Sequence, residues 1–235
     1  FDVRQGNFVG AGVNTVTRSG TNRFAGSFYH RFRDDAMVGK EAKGLTYNPG
    51  NFKFSNWGGW ASGPILKNRL FAFGIFEDEE DTRPLTTYRA NSGGEAVAGN
   101  VTRVLKSDLD TLSAFLKSKY GYDTGPYEGV DDLTPARRFL IRGDWNLNNA
   151  NKISVRYNYL ESSTDVLLST SSSLGFGRDS GRNTNFLSYS GSNYAILENI
   201  RSTLGEWNTV IGTTLANNLI VGFTKNDESR GYKGA

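Results

Sequence analysis

Apolar and polar residues alternate along several stretches of the chain, as expected of β-strands with one apolar and one polar face. Residues 152–160 show the pattern most clearly. Their apolar set is Ile153, Val155, Tyr157 and Tyr159, and their polar set is Lys152, Ser154, Arg156 and Asn158. Upstream, Phe139, Ile141, Gly143, Trp145 and Leu147 alternate with Arg138, Leu140, Arg142, Asp144 and Asn146. The Asn-rich residues 148–151 between them favour a tight turn, which predicts a hairpin.

The same unit recurs along the chain. Residues 54–65 and 70–76 flank a tight turn at 66–69, and residues 200–215 and 219–226 flank a turn at 216–218. A single strand over 24–33 precedes them. The pattern therefore predicts seven strands, each of about 9–11 residues where the alternation is clear, which is the span of a tilted strand across a bilayer.

Short and long connections follow one another in turn. The turns at 66–69, 148–151 and 216–218 are short, whereas the connections at 34–53, 77–137 and 161–199 are long and polar. Outer-membrane barrels have short periplasmic turns and longer extracellular loops. The predicted fold class is therefore all-β: part of a large antiparallel transmembrane β-barrel. Because bacterial barrels close with an even number of strands, we expect the wall to continue in a protein several times longer.

The second long connection contains the one predicted helix, over residues 100–120, with Gly121 as its stop. Its apolar residues repeat at three- and four-residue spacing. We expect this helix to pack on its own loop, with a partner-binding helix as the alternative.

Composition narrows the class of protein further. The chain has 28 Gly, 15 Phe, 11 Tyr, 4 Trp and no Cys, with a net charge of +3. Its mean hydropathy of −0.48 suits a wall that needs apolar residues only at alternate positions. Without cysteine, a disulfide scaffold is excluded. The sequence also shows no basic patch of the kind that binds nucleic acid. The opening at Phe1 without a leader, and the ending at Ala235, lead us to expect a partial chain.

Candidate chemistry is sparse, and the protein is predicted to be neither an enzyme nor a cofactor protein. The weak metal candidates are Glu77, Asp78, Glu79, Glu80 and Asp81, for which a solvated strand end is the favoured interpretation. His30 is expected to be a packing or membrane-interface residue. The Gly10–Gly12 stretch lacks the lysine of a phosphate loop.

Three segments carry a resemblance to a known family. Residues 10–33, GAGVNTVTRSGTNRFAGSFYHRFR, resemble the plug-to-barrel junction of TonB-dependent receptors, and residues 59–73, GWASGPILKNRLFAF, resemble a hairpin of the same family. Residues 120–127 and 137–162 resemble its Oar-like subfamily from Bacteroidota.

The resemblance implies a 22-stranded barrel in the bacterial outer membrane with an N-terminal plug in its lumen. Residues 1–22 would be the end of the plug, and residues 23–235 the first part of the barrel. The implied partners are outer-membrane lipid and the TonB complex, which engages a box further N-terminal; a surface lipoprotein or another outer-membrane protein is a further candidate, and nucleic acid is not. The residues expected to face the lumen and plug are Arg138, Arg142, Asp144, Arg156 and Asn158. Residues 13–18 have mixed side chains on both faces and offer lipid no apolar surface. They are therefore expected inside the lumen, beside Arg142 or Arg156.

The predicted function is TonB-dependent uptake, or surface binding, of a ligand. One alternative is a structural or adhesive barrel that displays long surface loops without transport. A soluble β-sandwich is a third hypothesis, which detergent dependence would distinguish from the other two.

Overall fold

A computed structural model of the protein describes residues 17–46, 50–167 and 183–232. In chain order its strands are β1 (Ala25–Asp34), β2 (Glu41–Ala42), β3 (Leu45–Thr46), β4 (Lys53–Leu66), β5 (Leu70–Pro84), β6 (Arg89–Asn91), β7 (Val101–Leu105), β8 (Asp131–Asn146), β9 (Asn151–Val166), β10 (Tyr194–Ile211) and β11 (Leu215–Tyr232). The helix α1 spans Lys106–Tyr120 and lies between β7 and β8. Short 3₁₀ turns occupy Asp35–Met37 and Ser190–Ser192.

Seven of these strands form one antiparallel sheet in the order β1-β4-β5-β8-β9-β10-β11. Each strand pairs with the next long strand of the chain, so the sheet is a simple up-and-down wall. The all-β antiparallel class with a helix in a long loop is thus confirmed. Two small sheets, β2-β3 and β6-β7, lie in the long connections.

The two faces of the wall differ in chemistry. Residues directly opposite each other in the register share a face, and one set, here called the apolar face, carries large exposed side chains. Phe28 is 73%, Ile141 57% and Phe223 71% exposed. Such a continuous apolar surface is what a bilayer covers in a barrel wall. The other set, the polar face, carries the five residues expected to line the lumen.

Several predicted boundaries were wrong. The strands reach 18 residues rather than 9–11. The long connections therefore lose residues to the wall: β5 extends to Pro84, β8 begins at Asp131, β9 extends to Val166 and β10 begins at Tyr194. The last turn lies at 212–214, not at 216–218, because Gly212 supplies the left-handed conformation (φ 64°). Asn217 and Asn218 instead pair within the ladder, opposite Thr209 and Asn208.

The other two tight turns agree with the sequence pattern. β4 ends at Leu66 and β5 begins at Leu70, with Asn68 at φ 63° between them. In the Asn-rich turn, the Asn148 carboxamide oxygen accepts the amides of Ala150 and Asn151 at 2.9 and 2.8 Å. Asn side chains cap such turns because they accept hydrogen bonds from the backbone two residues on.

The helix is shorter than predicted and starts at Lys106 rather than 100. Val101–Leu105 forms β7 instead, since β-branched residues favour extended backbone. The stop at Gly121 is confirmed, with φ 69° and its amide bonded to the carbonyl of Lys117 at 3.0 Å. Within the described ranges, no helix is long and apolar enough to cross a membrane.

The long connections 85–130 and 183–193 fold together into what we call the loop unit. Ala90, Leu109 and Leu187 form its buried core, against which Tyr88, Val104, Tyr127 and Tyr189 pack. The Tyr189 hydroxyl donates to the carbonyl of Leu109 at 2.6 Å, and Arg103 donates its amide to the carbonyl of Thr184 at 2.8 Å. The helix therefore packs on its own loop, as the sequence favoured.

Candidate functional site

The five residues singled out by the sequence lie on the polar face of two neighbouring strands. Arg138, Arg142 and Asp144 belong to β8, and Arg156 and Asn158 to β9. Arg142 lies directly opposite Arg156. The alternation of the sequence assigns a common face because side chains two residues apart point the same way.

Arg142 is the central residue of this face. Its Nε donates to both carboxylate oxygens of Asp144 at 3.0 Å, and its Nη2 donates to Oδ1 at 2.7 Å. Its Nη1 donates to the carbonyl and the hydroxyl of Thr17, at 3.0 and 2.6 Å. The Arg142 and Asp144 side chains are only 20% and 19% exposed. Asp144 fixes the orientation of the Arg142 guanidinium, which in turn binds Thr17 through two hydrogen bonds. Arg142 therefore holds the segment that contains Thr17 against the wall.

Residues 17–22, here called the junction segment, lie against the polar face. The Arg18 guanidinium sits 4.6 Å from the centre of the Trp60 ring, a cation–π contact. Gly20 is buried so close to the wall that an added Cβ would lie 2.6 Å from the Ala72 carbonyl and 2.8 Å from that of Gly63. Of the predicted stretch 13–18, Thr17 lies beside Arg142 as expected, and Arg18 contacts Trp60 on the same face. Residues 13–16, like Gly10–Gly12, fall outside the described residues.

The composition of residues 19–22, Ser-Gly-Thr-Asn, predicts a tight turn in which Gly20 supplies backbone freedom. The structure gives Gly20 a different role. The bend lies at Asn22–Arg23, and Gly20 is required by the close approach of two backbones. The wall strand then starts at Ala25.

An apolar band on the polar face was missed by the sequence reasoning. Phe73 is only 6% exposed and stacks on Trp60, with ring centroids 6.2 Å apart. Both rings lie on the side of the junction segment, since Phe73 is opposite Arg142 and Ser62. The available signal was that residues 70–76 are apolar at nearly every position, which indicates a strand covered on both faces.

A second group of charges lies nearer the long loops. Arg138 Nη2 donates to Glu79 at 2.8 Å, and its Nε lies 3.5 Å from Glu77. The Asn56 amide donates to Glu79 at 2.9 Å, and the Tyr29 hydroxyl donates to Glu77. Both carboxylates of this group are thus already bonded to neighbouring strands.

Arg156 and Asn158 extend the polar face toward β10. Arg156 lies opposite Leu204 and Asn158 opposite Ser202. Next to them, Glu206 accepts the amides of Asn208 and Asn218 at 2.9 and 2.6 Å. A cavity of about 200 Å³ opens here, and its lining includes Arg142, Asp144, Lys152, Ser154, Glu206 and Asn208.

The acidic run is divided between the two faces. Glu77 and Glu79 lie on the polar face, whereas Asp78 lies on the apolar face and binds Arg137 at 2.8 Å. Asp81 binds Arg83 at 2.5 Å, and Glu80 lies opposite Ser55. Alternation therefore prevents these carboxylates from converging, and no metal-binding group of three or more His, Cys, Asp or Glu occurs in the part of the chain that the structure describes. His30 lies on the apolar face, stacked on Phe32 at 5.4 Å.

The loop unit contains the groups with the largest shifts of pKa outside the wall. Arg89 binds both oxygens of Glu95, at 2.6 and 3.0 Å, and with the Ser92 amide lowers the pKa of Glu95 to about 2. Burial, together with the hydrogen bond to Asp110, raises the pKa of the Tyr127 hydroxyl to about 12. These bonded groups hold the loop unit together.

Comparison with known proteins agrees with this architecture. Residues 16–113 match the family described as an outer membrane beta barrel domain. The antiparallel wall and this match make the chain part of a β-barrel of the bacterial outer membrane. The chain is also 27% identical over 157 residues to the "TonB-dependent transporter Oar" of Myxococcus xanthus. That alignment covers 62% of this chain and 14% of the relative. No solved structure matches the chain.

Proposed function

We propose that the chain is part of an outer-membrane receptor of the Oar-like type for TonB-dependent uptake, or surface binding, of a ligand, without covalent chemistry. Residues 1–22 would be the end of a plug and residues 23–235 the first part of the wall. The observation that carries the proposal is the contact of Arg142 with Thr17. It fastens a segment that is not a wall strand onto the face that a barrel turns inward.

The polar face has the chemistry that a filled lumen needs. A wide barrel leaves an interior that must be filled or lined with polar groups. Arg138, Arg142, Asp144, Arg156 and Asn158 would supply that lining, and the Trp60–Phe73 band would pack against the plug. The cavity lined by Arg142 and Glu206 would lie on the plug-facing side of the wall.

The proposed partners are outer-membrane lipid and the TonB complex. Outer-membrane lipid would cover the apolar face, and the TonB complex would act through a part of the protein N-terminal to the segment described. The name of the Myxococcus xanthus relative supports transport. A Bacteroidota source and a 22-stranded wall belong to the same proposal.

The alternative, an adhesive barrel that displays surface loops, is favoured by one observation. On the loop unit, α1 leaves Leu112 and Phe115 about half exposed, and Tyr120 beside them is 65% exposed. Exposed apolar side chains grouped in this way are typical of protein-binding surfaces. A surface lipoprotein is one partner that would fit.

Uptake in a deletion strain tests the two functions against each other. A strain lacking the gene is complemented with the wild-type gene, in backgrounds with and without TonB, and accumulation of labelled iron chelates, oligosaccharides and peptides is measured. We expect one compound class to require both this protein and TonB. If none does, while attachment of cells to surfaces or to each other is lost in the deletion strain, the adhesive function replaces the proposal.

A further inference from the structure

On the apolar face of the wall, the side chains change from mostly apolar to polar at one row of residues. In the cross-strand register this row, here called the border row, reads Phe76, Phe139, Tyr159, Arg201 and Lys225. The row on the side of the short turns is mostly apolar and reads Gly74, Ile141, Tyr157, Thr203 and Phe223. The row on the side of the long loops is polar and reads Asp78, Arg137, Glu161, Asn199 and Asp227. In a barrel wall, such a change of chemistry is expected at the level where lipid chains end and headgroups begin.

Two cations lie opposite each other in this row. Arg201 of β10 directly faces Lys225 of β11, and like charges in this position repel. On the three preceding strands the border row contains aromatic residues, among which Phe139 and Tyr159 stack at 4.9 Å. β10 and β11 therefore differ from these three strands, because they place cations in the border row where the others place aromatic residues.

Nearby acids neutralise only part of this charge. Lys225 binds Asp227 at 2.7 Å, and both side chains remain more than half exposed. Glu161 accepts the Tyr159 hydroxyl at 2.6 Å. The exposed Arg201 guanidinium lies 5.6 Å from the centre of the Tyr159 ring, and among the described residues no carboxylate forms an ion pair with it. Arg201 thus retains donors that face outward.

A concave surface that carries both polar and apolar groups adjoins the two cations. A depression of about 310 Å³ opens in the next row toward the long loops, and Arg137, Glu161, Ser163 and Asn199 contribute to its lining. Hydroxyl, amide and charged groups of this kind bind sugar hydroxyls, whereas the row on the side of the short turns is mostly apolar and suits lipid tails. The level of the cations, between these two surfaces, is that of a lipid phosphate.

We propose that Arg201 and Lys225 form an outward-facing site for the phosphate of an outer-leaflet glycolipid, whose sugar enters the depression beside Arg137 and Glu161. Phosphate oxygens accept hydrogen bonds from guanidinium and ammonium groups. Side chains directly opposite on an antiparallel pair have Cβ atoms about 5 Å apart, so one phosphate can contact both. The choice of the outer leaflet rests on the proposed function, in which the long loops are extracellular.

Lipid binding to the native full-length protein tests this site. Native mass spectrometry in a non-ionic detergent measures binding of diphosphorylated lipid A, dephosphorylated lipid A and phosphatidylglycerol. We expect the wild type to bind the diphosphorylated form about tenfold more tightly than the dephosphorylated form, as two interfacial cations allow. Arg201→Gln/Lys225→Gln should remove this difference. Arg201→Lys/Lys225→Arg should keep it, which separates charge from folding.

Arg31→Gln/Arg33→Gln, which removes two positive charges from the polar face, is the matched control and should bind lipid as the wild type does. The proposal is overturned if the wild type binds both forms of lipid A equally, or if the double Gln variant retains the preference. Equal binding of phosphatidylglycerol, with the same loss in the Gln variant, would assign the site to a phospholipid instead. Because neither uptake nor TonB enters this measurement, its outcome is independent of whether the protein transports a ligand.

Discussion

Asn22 and Asn68 bind each other through both atoms of the Asn22 carboxamide. Asn22 Nδ2 donates to Asn68 Oδ1 at 2.5 Å, and Asn22 Oδ1 accepts the backbone amide of Asn68 at 2.8 Å. Asn68 also holds the left-handed position of the turn between β4 and β5, with φ 63°. The pair thus fixes the end of the junction segment to the first tight turn of the wall.

Replacing Asn22 should loosen this connection. We expect Asn22→Ala to destabilise the junction locally by about 1 kcal/mol, the usual contribution of a hydrogen bond, and to speed tryptic cleavage after Arg23 in the native protein. Asn22→Asp keeps the acceptor for the Asn68 amide and should give an intermediate rate. Cleavage of Asn22→Ala at the wild-type rate would contradict the role of the pair.

Arg142 and Asp144 should show strong coupling in a double-mutant cycle. Arg142→Met leaves the half-buried Asp144 carboxylate without its partner and releases Thr17, so we expect the free energy of unfolding in urea to fall by about 2–3 kcal/mol. Arg142→Met/Asp144→Asn removes the stranded charge and should recover about 1 kcal/mol of that loss. A double variant as unstable as the single one, or less stable, would show that the pair is not the source of the effect.

Gly20 and Gly143 offer a matched comparison of added methyl groups. A Cβ at Gly20 would meet two carbonyl oxygens at 2.6 and 2.8 Å, whereas one at Gly143 meets nothing within 4 Å. We expect Gly20→Ala to lower the free energy of unfolding by about 1–3 kcal/mol, and Gly143→Ala to change it by less than about 0.5 kcal/mol. Equal effects of the two substitutions would exclude close packing as the reason for Gly20.

The loop unit should lose order in acid through Glu95. Its pKa is lowered from an ordinary value of 4.5 to about 2 by Arg89, so its contribution to stability is complete above about pH 4.5 and disappears as the pH falls toward 2. A nitroxide label at Ala98 should therefore become more mobile in the electron paramagnetic resonance spectrum over this range. In Glu95→Gln the mobility should be raised at neutral pH already; a wild-type profile in that variant would argue against the ion pair.

Introduced single cysteines can show which loops face the cell exterior and which face the periplasm, because the chain has no cysteine of its own. We expect an impermeant maleimide to label Ala98→Cys, in the loop unit, on intact cells, and Asn149→Cys, in a short turn, only after permeabilisation. The physical reason is that barrels place long loops outside and short turns in the periplasm. Labelling of Asn149→Cys alone on intact cells would reverse the proposed orientation.

The faces of the wall were predictable because alternation is a local property. Arg142 and Arg156, or Ile141 and Tyr157, share a face once period-two strands and a short turn are recognised. The last turn was misplaced because two neighbouring segments both favour a turn: Asn217 and Asn218 have the right composition, but Gly212 adopts the left-handed conformation. Sequence composition alone does not decide between two such turns four residues apart.

Contacts between distant residues were harder to predict. The core contact of Leu109 with Leu187 joins two long connections that no local pattern relates. The placement of Thr17 beside Arg142 was expected from the mixed faces of residues 13–18 together with the family resemblance, although 125 residues separate the two. The Trp60–Phe73 band was missed because alternation assigns apolar residues to only one face, and here both faces need them.

β10 and β11 are longer than a membrane-crossing strand, so each has one part that crosses the bilayer and one part that extends beyond it. Each has 18 residues, about seven more than a tilted strand needs to cross a bilayer. Trp145 and Trp207 lie near the short turns, so the surplus lies beyond the border row and would raise the wall by about 15 Å above the lipid. The loop unit would then stand on a collar that does not touch hydrocarbon. Substitutions in the collar would change the surface that the protein presents outside the cell. They would leave the apolar part of the wall, which anchors the protein in lipid, unchanged.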